Sequence, residues 1–482
     1  MNNNKALAAV PRSLTRTAIA GAVATLLAAG WVAPASANVV TEWNALALGC
    51  IARGGAANAL DVALVQAAVH DAIQAIEHRY EPYKSSPGAT GNESKAVAAA
   101  AAAYRVLSDN RICPPPTGSP PAADTVQATL DTAFAPYKFS SDAAARIIGE
   151  AAGDAMLDEW RDGTTTITLP YIGNTAIGQW RPTPPSELPM NPVFVATKKP
   201  FVISSVAQFR PGPAPALTSA EYLKDYNEVK AVGGMTSHPP LGACPAPAAT
   251  DMARFWGANI PAQFNQVLRD VAVDRQLGLG DTARLLALGN LASADATIVV
   301  WDTKIHYNVW RPVTAIQLDD GVPATQRDAT WRPFYDSVLD PTVPTGHFPA
   351  GSQTPPYPDY PSGANGVSGA FTTILQLFFK TDNMPIAIYK GSAPTVAICT
   401  NPRLYRKISD VADEVVEARI LLGIHFRFAD TVARTIGTRV AEDVFAKALQ
   451  PIRDEDDHNG NHGNGNGNGN NGNGNGNKNS QR

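Results

Sequence analysis

Apolar residues recur at three- and four-residue steps along most of the chain. Val62, Val65, Val69, Ile73 and Ile76 form one stripe, Leu285, Leu288, Leu291, Ile298 and Trp301 a second, and Val432, Ile436, Val440 and Val444 a third. That period puts each set on one face of a helix. The pattern predicts helices over 38–80, 96–107, 142–160, 251–256, 262–274, 282–301, 367–379 and 410–422, and another opening with Asp430 as its cap. Thr218-Ser219-Ala220-Glu221 has the form of a capping box, and Gly233-Gly234 closes the helix it starts. No alternating apolar–polar run is long enough for a strand. The predicted class is therefore all-α, one or more helical bundles joined by long Pro-rich loops. One such loop opens at Cys113-Pro114-Pro115-Pro116. Another, 169–215, carries Trp180-Arg181-Pro182 and Pro184-Pro185 and either wraps the helical body or links two lobes.

The two ends change the picture. Lys5, Arg12 and Arg16 precede an apolar run, and Ala35-Ser36-Ala37 has the form of a cleavage site, so residues 1–37 read as a signal peptide. Export predicts a secreted or periplasmic location. Beyond that run no apolar stretch stands out as a membrane span, and no transmembrane segment is expected. Residues 451–482 are an acidic patch followed by Asn-Gly repeats, a composition expected to stay disordered. Roughly 415 residues are left between them, large for a single core. They divide into an N-terminal helical region, 38–200, and a C-terminal one, 201–450. Losing the leader removes three cations and no acid, taking the formal charge from −4 to −7, which argues against nucleic acid as a partner. Cys50, Cys113, Cys244 and Cys399 match no metal spacing. In an oxidising compartment they allow two disulfides, with the pairing open.

Three stretches carry candidate chemistry. In Trp301-Asp302-Thr303-Lys304-Ile305-His306-Tyr307-Asn308-Val309-Trp310-Arg311-Pro312, Lys304 and Arg311 are two helical turns apart, with Pro312 expected to stop the helix. A lysine point charge beside a forked guanidinium suits a tetrahedral oxyanion. In Tyr357-Pro358-Asp359-Tyr360-Pro361-Ser362-Gly363-Ala364, Ser362 and Gly363 offer a hydroxyl and a free N–H ahead of a helix. In Arg419-Ile420-Leu421-Leu422-Gly423-Ile424-His425, the break at Gly423 lets His425 turn back toward Arg419.

Taken together, Lys304-x6-Arg311-Pro312, Pro361-Ser362-Gly363 and Arg419-x5-His425 resemble the tripartite signature shared by vanadium-dependent haloperoxidases and type 2 phosphatidic acid phosphatases. His70-Asp71-Ala72, Tyr226-Asn227-Glu228-Val229-Lys230 and His425-Phe426-Arg427-Phe428 resemble bacterial secreted haloperoxidase-like proteins in particular. The resemblance implies an all-α bundle with the site between helices. It implies that Lys304, Arg311 and Arg419 hold the oxygens of vanadate or phosphate, aided by Ser362 and the Gly363 N–H. His425 would be the vanadium ligand in a peroxidase or the nucleophile in a phosphatase. Trp301 and Tyr357 would line the side where halide approaches, and Asp430 would orient His425. The implied substrates are small molecules (hydrogen peroxide, a halide and an organic acceptor), and a homo-oligomer is allowed.

One position departs from the family. Its middle motif ends in histidine, the expected acid–base group, and here that place is Ala364. Loss of a positioned proton carrier costs on the order of 10²–10⁴ in rate. Pro344-Thr345-Gly346-His347 offers a similar string nearby, which makes His347 a candidate substitute. The readings are an exported haloperoxidase-like enzyme, an acid phosphatase of the same superfamily, or an oxyanion-binding pseudoenzyme.

Overall fold

The structure, a computed structural model, describes residues 38–452 apart from 52–55, 114–122, 139, 163–170, 185–186, 240–243, 245, 339–353 and 391–398. The expected leader, the Asn-Gly tail from 453 onward, and His347 lie outside the described residues.

The apolar stripes fold as helices. In the N-terminal region these are α1 (Val39–Cys50), α2 (Ala56–Glu77), α3 (Lys95–Leu107), α4 (Ala123–Lys138) and α5 (Ala143–Asp162). Then come α6 (Ala220–Val232), α7 (Ala248–Trp256), α8 (Ile260–Asp274) and α9 (Leu279–Tyr307). The short α10 (Pro312–Gln317) and α11 (Tyr335–Val338) lead to α12 (Gly363–Phe379), α13 (Ile408–Leu421) and α14 (Arg427–Lys447). The fold is mostly helical, as expected. The exception is an antiparallel pair, β1 (Ile386–Ile388) with β2 (Arg403–Tyr405), in which Ile386 faces Tyr405. Three residues per strand are too few for alternation to register in the sequence.

Other departures have local causes. Ser219, not Thr218, accepts the first-turn N–H of α6, that of Tyr222. The last long helix starts at Arg427, so Asp430 sits inside its first turn rather than at the cap. The free N–H of Phe428 is taken instead by Asp225 of α6, at 2.7 Å. Two disulfides form, Cys50–Cys113 and Cys244–Cys399.

A continuous apolar core gathers side chains from Val39 to Leu449. At its centre α2 packs on α9, with α3 against α5. Both α2 and α9 are long and apolar enough to cross a membrane by length and composition, and the apolar stretch of each is buried inside the protein. Their charges, among them Asp71, Asp295 and Lys304, break up any uncharged apolar run. Helices α12 and α14 also pack closely. A Cβ at Gly437 would collide with the carbonyl of Gly366, so the two backbones touch where no side chain fits between them.

The Pro-rich stretch after α5 wraps the helical body. Trp180, fully buried, donates its backbone N–H to Asn308 at 2.6 Å, and Gly178 accepts from Trp310 at 3.1 Å. Asp295 of α9 pins the same wrap by accepting the N–H groups of Phe201, Val202 and Ile203 at 2.6, 2.8 and 2.9 Å. The loop after α2 is held in the same way: Asp71 accepts from Tyr83, Lys84 and Ser85.

Candidate oxyanion site

Lys304 and Arg311 do not share one helix. α9 ends at Tyr307, Asn308 takes the left-handed conformation at φ 50°, and Arg311 becomes the N-cap residue of α10. Pro312 therefore begins a helix instead of stopping one, the position where its fixed φ and missing N–H cost least. The turn lets both side chains reach the loop 357–359. Both are fully buried. Lys304 Nζ donates to the carbonyls of Pro358 and Asp359 at 2.6 and 3.0 Å. Arg311 donates through Nε to the carbonyl of Tyr357 at 2.8 Å and through Nη1 to that of Ile424 at 2.7 Å.

Ser362 is the N-cap residue of α12, but its side chain does not cap, and Gly363 opens the helix. A Cβ on Gly363 would meet the Trp301 ring at 2.9 Å, so the glycine leaves room for this aromatic wall. Trp301 and Tyr357 have centroids 5.1 Å apart, and Tyr357 lies under both Lys304 Nζ (5.0 Å) and the Arg311 guanidinium (4.8 Å). Gly423, at φ 76°, supplies the break after α13 that turns the chain into His425. The His425 ring reaches Arg311, whose Nη1 lies 3.2 Å from Nε2. Arg419 donates through Nη1 to the carbonyl of Trp256 at 3.2 Å.

The residue expected to orient His425 does something else. Asp430 accepts a hydrogen bond from Asn365 at 2.7 Å, tying α14 to the first turn of α12. The carboxylate beside His425 belongs to Asp359: its Oδ1 is 2.7 Å from Nδ1, and 3.7 Å from Arg311 Nη1. Sequence reasoning missed Asp359 because it stands in a proline-rich loop with no periodicity to mark its direction. Its place two residues before Pro361-Ser362-Gly363 was the available signal. Ala364 is partly buried and packs on the apolar core.

Burial dominates the electrostatics. It drives Lys304 well below the usual lysine range, with Arg311 adding to the effect, and lowers Arg311 itself. His425 is held well below its ordinary value by burial and then by Arg311, Lys304 and Arg419, which keeps it neutral. Asp359 is pushed up to about 7 and Asp430 well above the carboxylate range, both chiefly by burial. Three buried cations destabilise one another, and an incoming oxyanion would supply the countercharge. Two donors are free to meet it: Arg311 Nη2 and Arg419 Nε are buried and have no acceptor among the described residues. With the uncapped start of α12, this donor set fits vanadate or phosphate.

The helical fold with three motifs closing on a buried cationic cradle is similar to that of the vanadium haloperoxidases. Residues 284–454, which hold all three motifs, match the family model of the second helical-bundle domain of vanadium chloroperoxidase. Vanadium chloroperoxidase of Curvularia inaequalis is 26% identical over 294 residues, 51% of this chain and 47% of that protein, so the match spans about half of the curated relative's length. Among solved structures, a bacterial vanadium-dependent iodoperoxidase superposes with a TM-score of 0.68 at 22% identity, covering 86% of this chain and 97% of that one. A bacterial vanadium-dependent chloroperoxidase in its apo form gives 0.59 at 15% identity, covering 80% and 92%.

Proposed function

We propose that the chain is an exported haloperoxidase-type enzyme that binds vanadate and uses hydrogen peroxide to oxidise a halide for delivery to an organic acceptor. The observation that supports this most is the pair of buried, acceptorless donors Arg311 Nη2 and Arg419 Nε, on two arginines of the tripartite signature. When bound, vanadate supplies a Lewis-acidic centre at which peroxide is activated toward halide. Lys304, Arg311 and Arg419 would offset the oxyanion charge, and the Ser362 hydroxyl and Gly363 N–H would hold its oxygens. His425 offers a ring nitrogen as ligand. Trp301 and Tyr357, with ring centroids 5.1 Å apart, would line the side where halide approaches. The leader-like residues 1–37 and the two disulfides support export.

Ala364 favours a second reading, an oxyanion binder with little or no turnover, because a methyl group moves no protons. The same cradle with His425 as nucleophile would make a phosphatase. Vanadate-dependent oxidation of iodide and bromide by the protein, beside its Ala364→His variant, separates these. Activity in the unaltered protein supports the haloperoxidase reading. If it is silent and the variant gains activity, the protein is an oxyanion binder. Vanadate-inhibited release of phosphate from small esters, without halide oxidation, would favour the phosphatase.

A further inference from the structure

The structure assigns His238 the role of positioning residue for the turn that presents His425: one imidazole clasps the C-terminal ends of α6 and α13 together. His238 lies outside the three motifs, on the segment that leaves α6. Its Nε2 is 2.8 Å from the carbonyl of Val232 and 3.1 Å from that of Leu421, the last residues of the two helices. A helix leaves its final carbonyls without an internal N–H partner, so both need a donor from outside. Carbonyls only accept, so Nε2 carries the hydrogen and shares it between them. In the neutral ring Nδ1 then accepts from the Thr250 hydroxyl, at 2.9 Å. Thr250 stands in the first turn of α7, so the ring joins three helices.

The clasp lies at the root of the site. The two helix ends are in backbone contact, since a Cβ on Gly423 would collide with the carbonyl of Gly233. The segment under the ring completes the joint. Phe334, stacked on His238 with centroids 3.9 Å apart, donates its N–H to Gly233 at 2.8 Å, and Tyr335 donates to Leu422 at 2.9 Å. From here the chain runs through Gly423 to Ile424, whose carbonyl holds Arg311, and then to His425. Along α7 it runs to Trp256, whose carbonyl holds Arg419. Losing the imidazole would strand two helix-end carbonyls where these two arms begin.

Amide hydrogen exchange tests the clasp without any assumption about activity. His238→Leu removes the donor and keeps an apolar side chain over Phe334, while His238→Gln puts an amide donor close to the place of Nε2. The N–H groups of Leu422, Gly423 and Ile424 donate to Ala418, Ile420 and Arg419. In the leucine variant they should exchange about tenfold faster, roughly the worth of one net hydrogen bond, with the middles of α2 and α9 unchanged. The glutamine variant should recover most of that protection. Equal acceleration throughout the protein, or none at the turn, overturns the inference. A glutamine variant no better than leucine also overturns it, because the ring then acts only by stacking. If the leucine variant fails to fold, Thr250→Val, which releases Nδ1 alone, stands in for it: faster exchange confined to the turn supports the clasp, and unchanged exchange there overturns it.

The consequence for the site rests on the proposed function. Orthovanadate and inorganic phosphate affinities should both fall about 3–10-fold in His238→Leu, measured where the variant is fully folded, and return in His238→Gln. Both anions respond because the clasp acts on Arg311, Arg419 and His425 together. Unchanged affinities beside a loosened turn would show that the clasp stops short of the site, which overturns the positioning role. If the unaltered protein binds neither anion, the proposed function fails, while the exchange pattern still decides the clasp.

Discussion

The N–H of Phe428 donates to Oδ2 of Asp225 at 2.7 Å, so the first turn of α14 is capped by a side chain from α6. Arg427, one residue earlier, pairs with Glu228 one turn further along α6, at 2.8 Å. The two contacts clamp the segment that follows His425. Asp225→Ala should destabilise the fold by about 1–2 kcal/mol, the usual cost of losing a helix cap. It should also weaken vanadate binding, because His425 is two residues before α14. Urea denaturation reads the first effect and calorimetric titration with orthovanadate the second. A stability loss with unchanged affinity would show that the clamp does not reach His425.

Asp71 and Asp295 give a pH dependence of stability away from the site. Burial raises both from 3.8 to about 6, although each accepts three backbone N–H groups. The folded protein thus holds these protons more tightly than the unfolded chain. Their contribution is full below about pH 4 and is lost as pH rises through about 6. Two pKa units correspond to roughly 3 kcal/mol per group. Denaturation of the protein and Asp295→Asn between pH 4 and 7 measures the difference in stability. That difference should shift by this amount in favour of the variant as pH rises. A shift in the opposite direction would mean that the N–H donors outweigh burial.

Gly437→Ala probes the contact between α12 and α14. The added methyl meets the Gly366 carbonyl and, at 2.8 Å, the Ala370 nitrogen, and neither can rotate away. Overpacking of this kind costs about 1–3 kcal/mol. Since Ser362 and Gly363 open α12 while His425 precedes α14, phosphate affinity should drop together with melting temperature. A stable variant that binds phosphate normally would show that the helix spacing does not set the site.

The Cys244–Cys399 bond also bears on the site. The Cys399 N–H donates to Asp251 at 2.7 Å, Asp251 pairs with Arg403, and Arg403 with Glu414. Glu414 accepts from the Trp256 indole at 2.9 Å, and the Trp256 carbonyl holds Arg419. With the cysteines 155 positions apart in sequence, the bond is worth about 5 kcal/mol in the chain-entropy model. Cys244→Ser should lose that stability, visible as a lower denaturation midpoint. It should also weaken orthovanadate binding through the loosened Arg419.

Much of this was legible in the chain. Stripes such as Val432, Ile436, Val440 and Val444 announced their helices because core packing demands that period, and the motif residues announced themselves by type and spacing. The failures are physical. Helix α4 escaped because it follows a run of prolines and carries Pro136 in its last turn, although Val126, Leu130 and Phe134 kept a four-residue step. The bend at Asn308 escaped because many asparagines sit in ordinary helices, and its left-handed backbone is set by Trp180 and Gln179 on the wrapping loop. Asp359 escaped because contacts between a loop and a distant histidine have no period at all.

Each cation of the cradle is steered by backbone outside its own motif: Lys304 by Pro358 and Asp359, Arg311 by Tyr357 and Ile424, and Arg419 by Trp256. The motifs are therefore interlocked, and no one of them is a half-site. A fragment cut to residues 284–454 would keep every side chain assigned to the anion yet lose the carbonyl that aims Arg419. Modularity in the sequence does not carry over to the chemistry, which belongs to the closed chain.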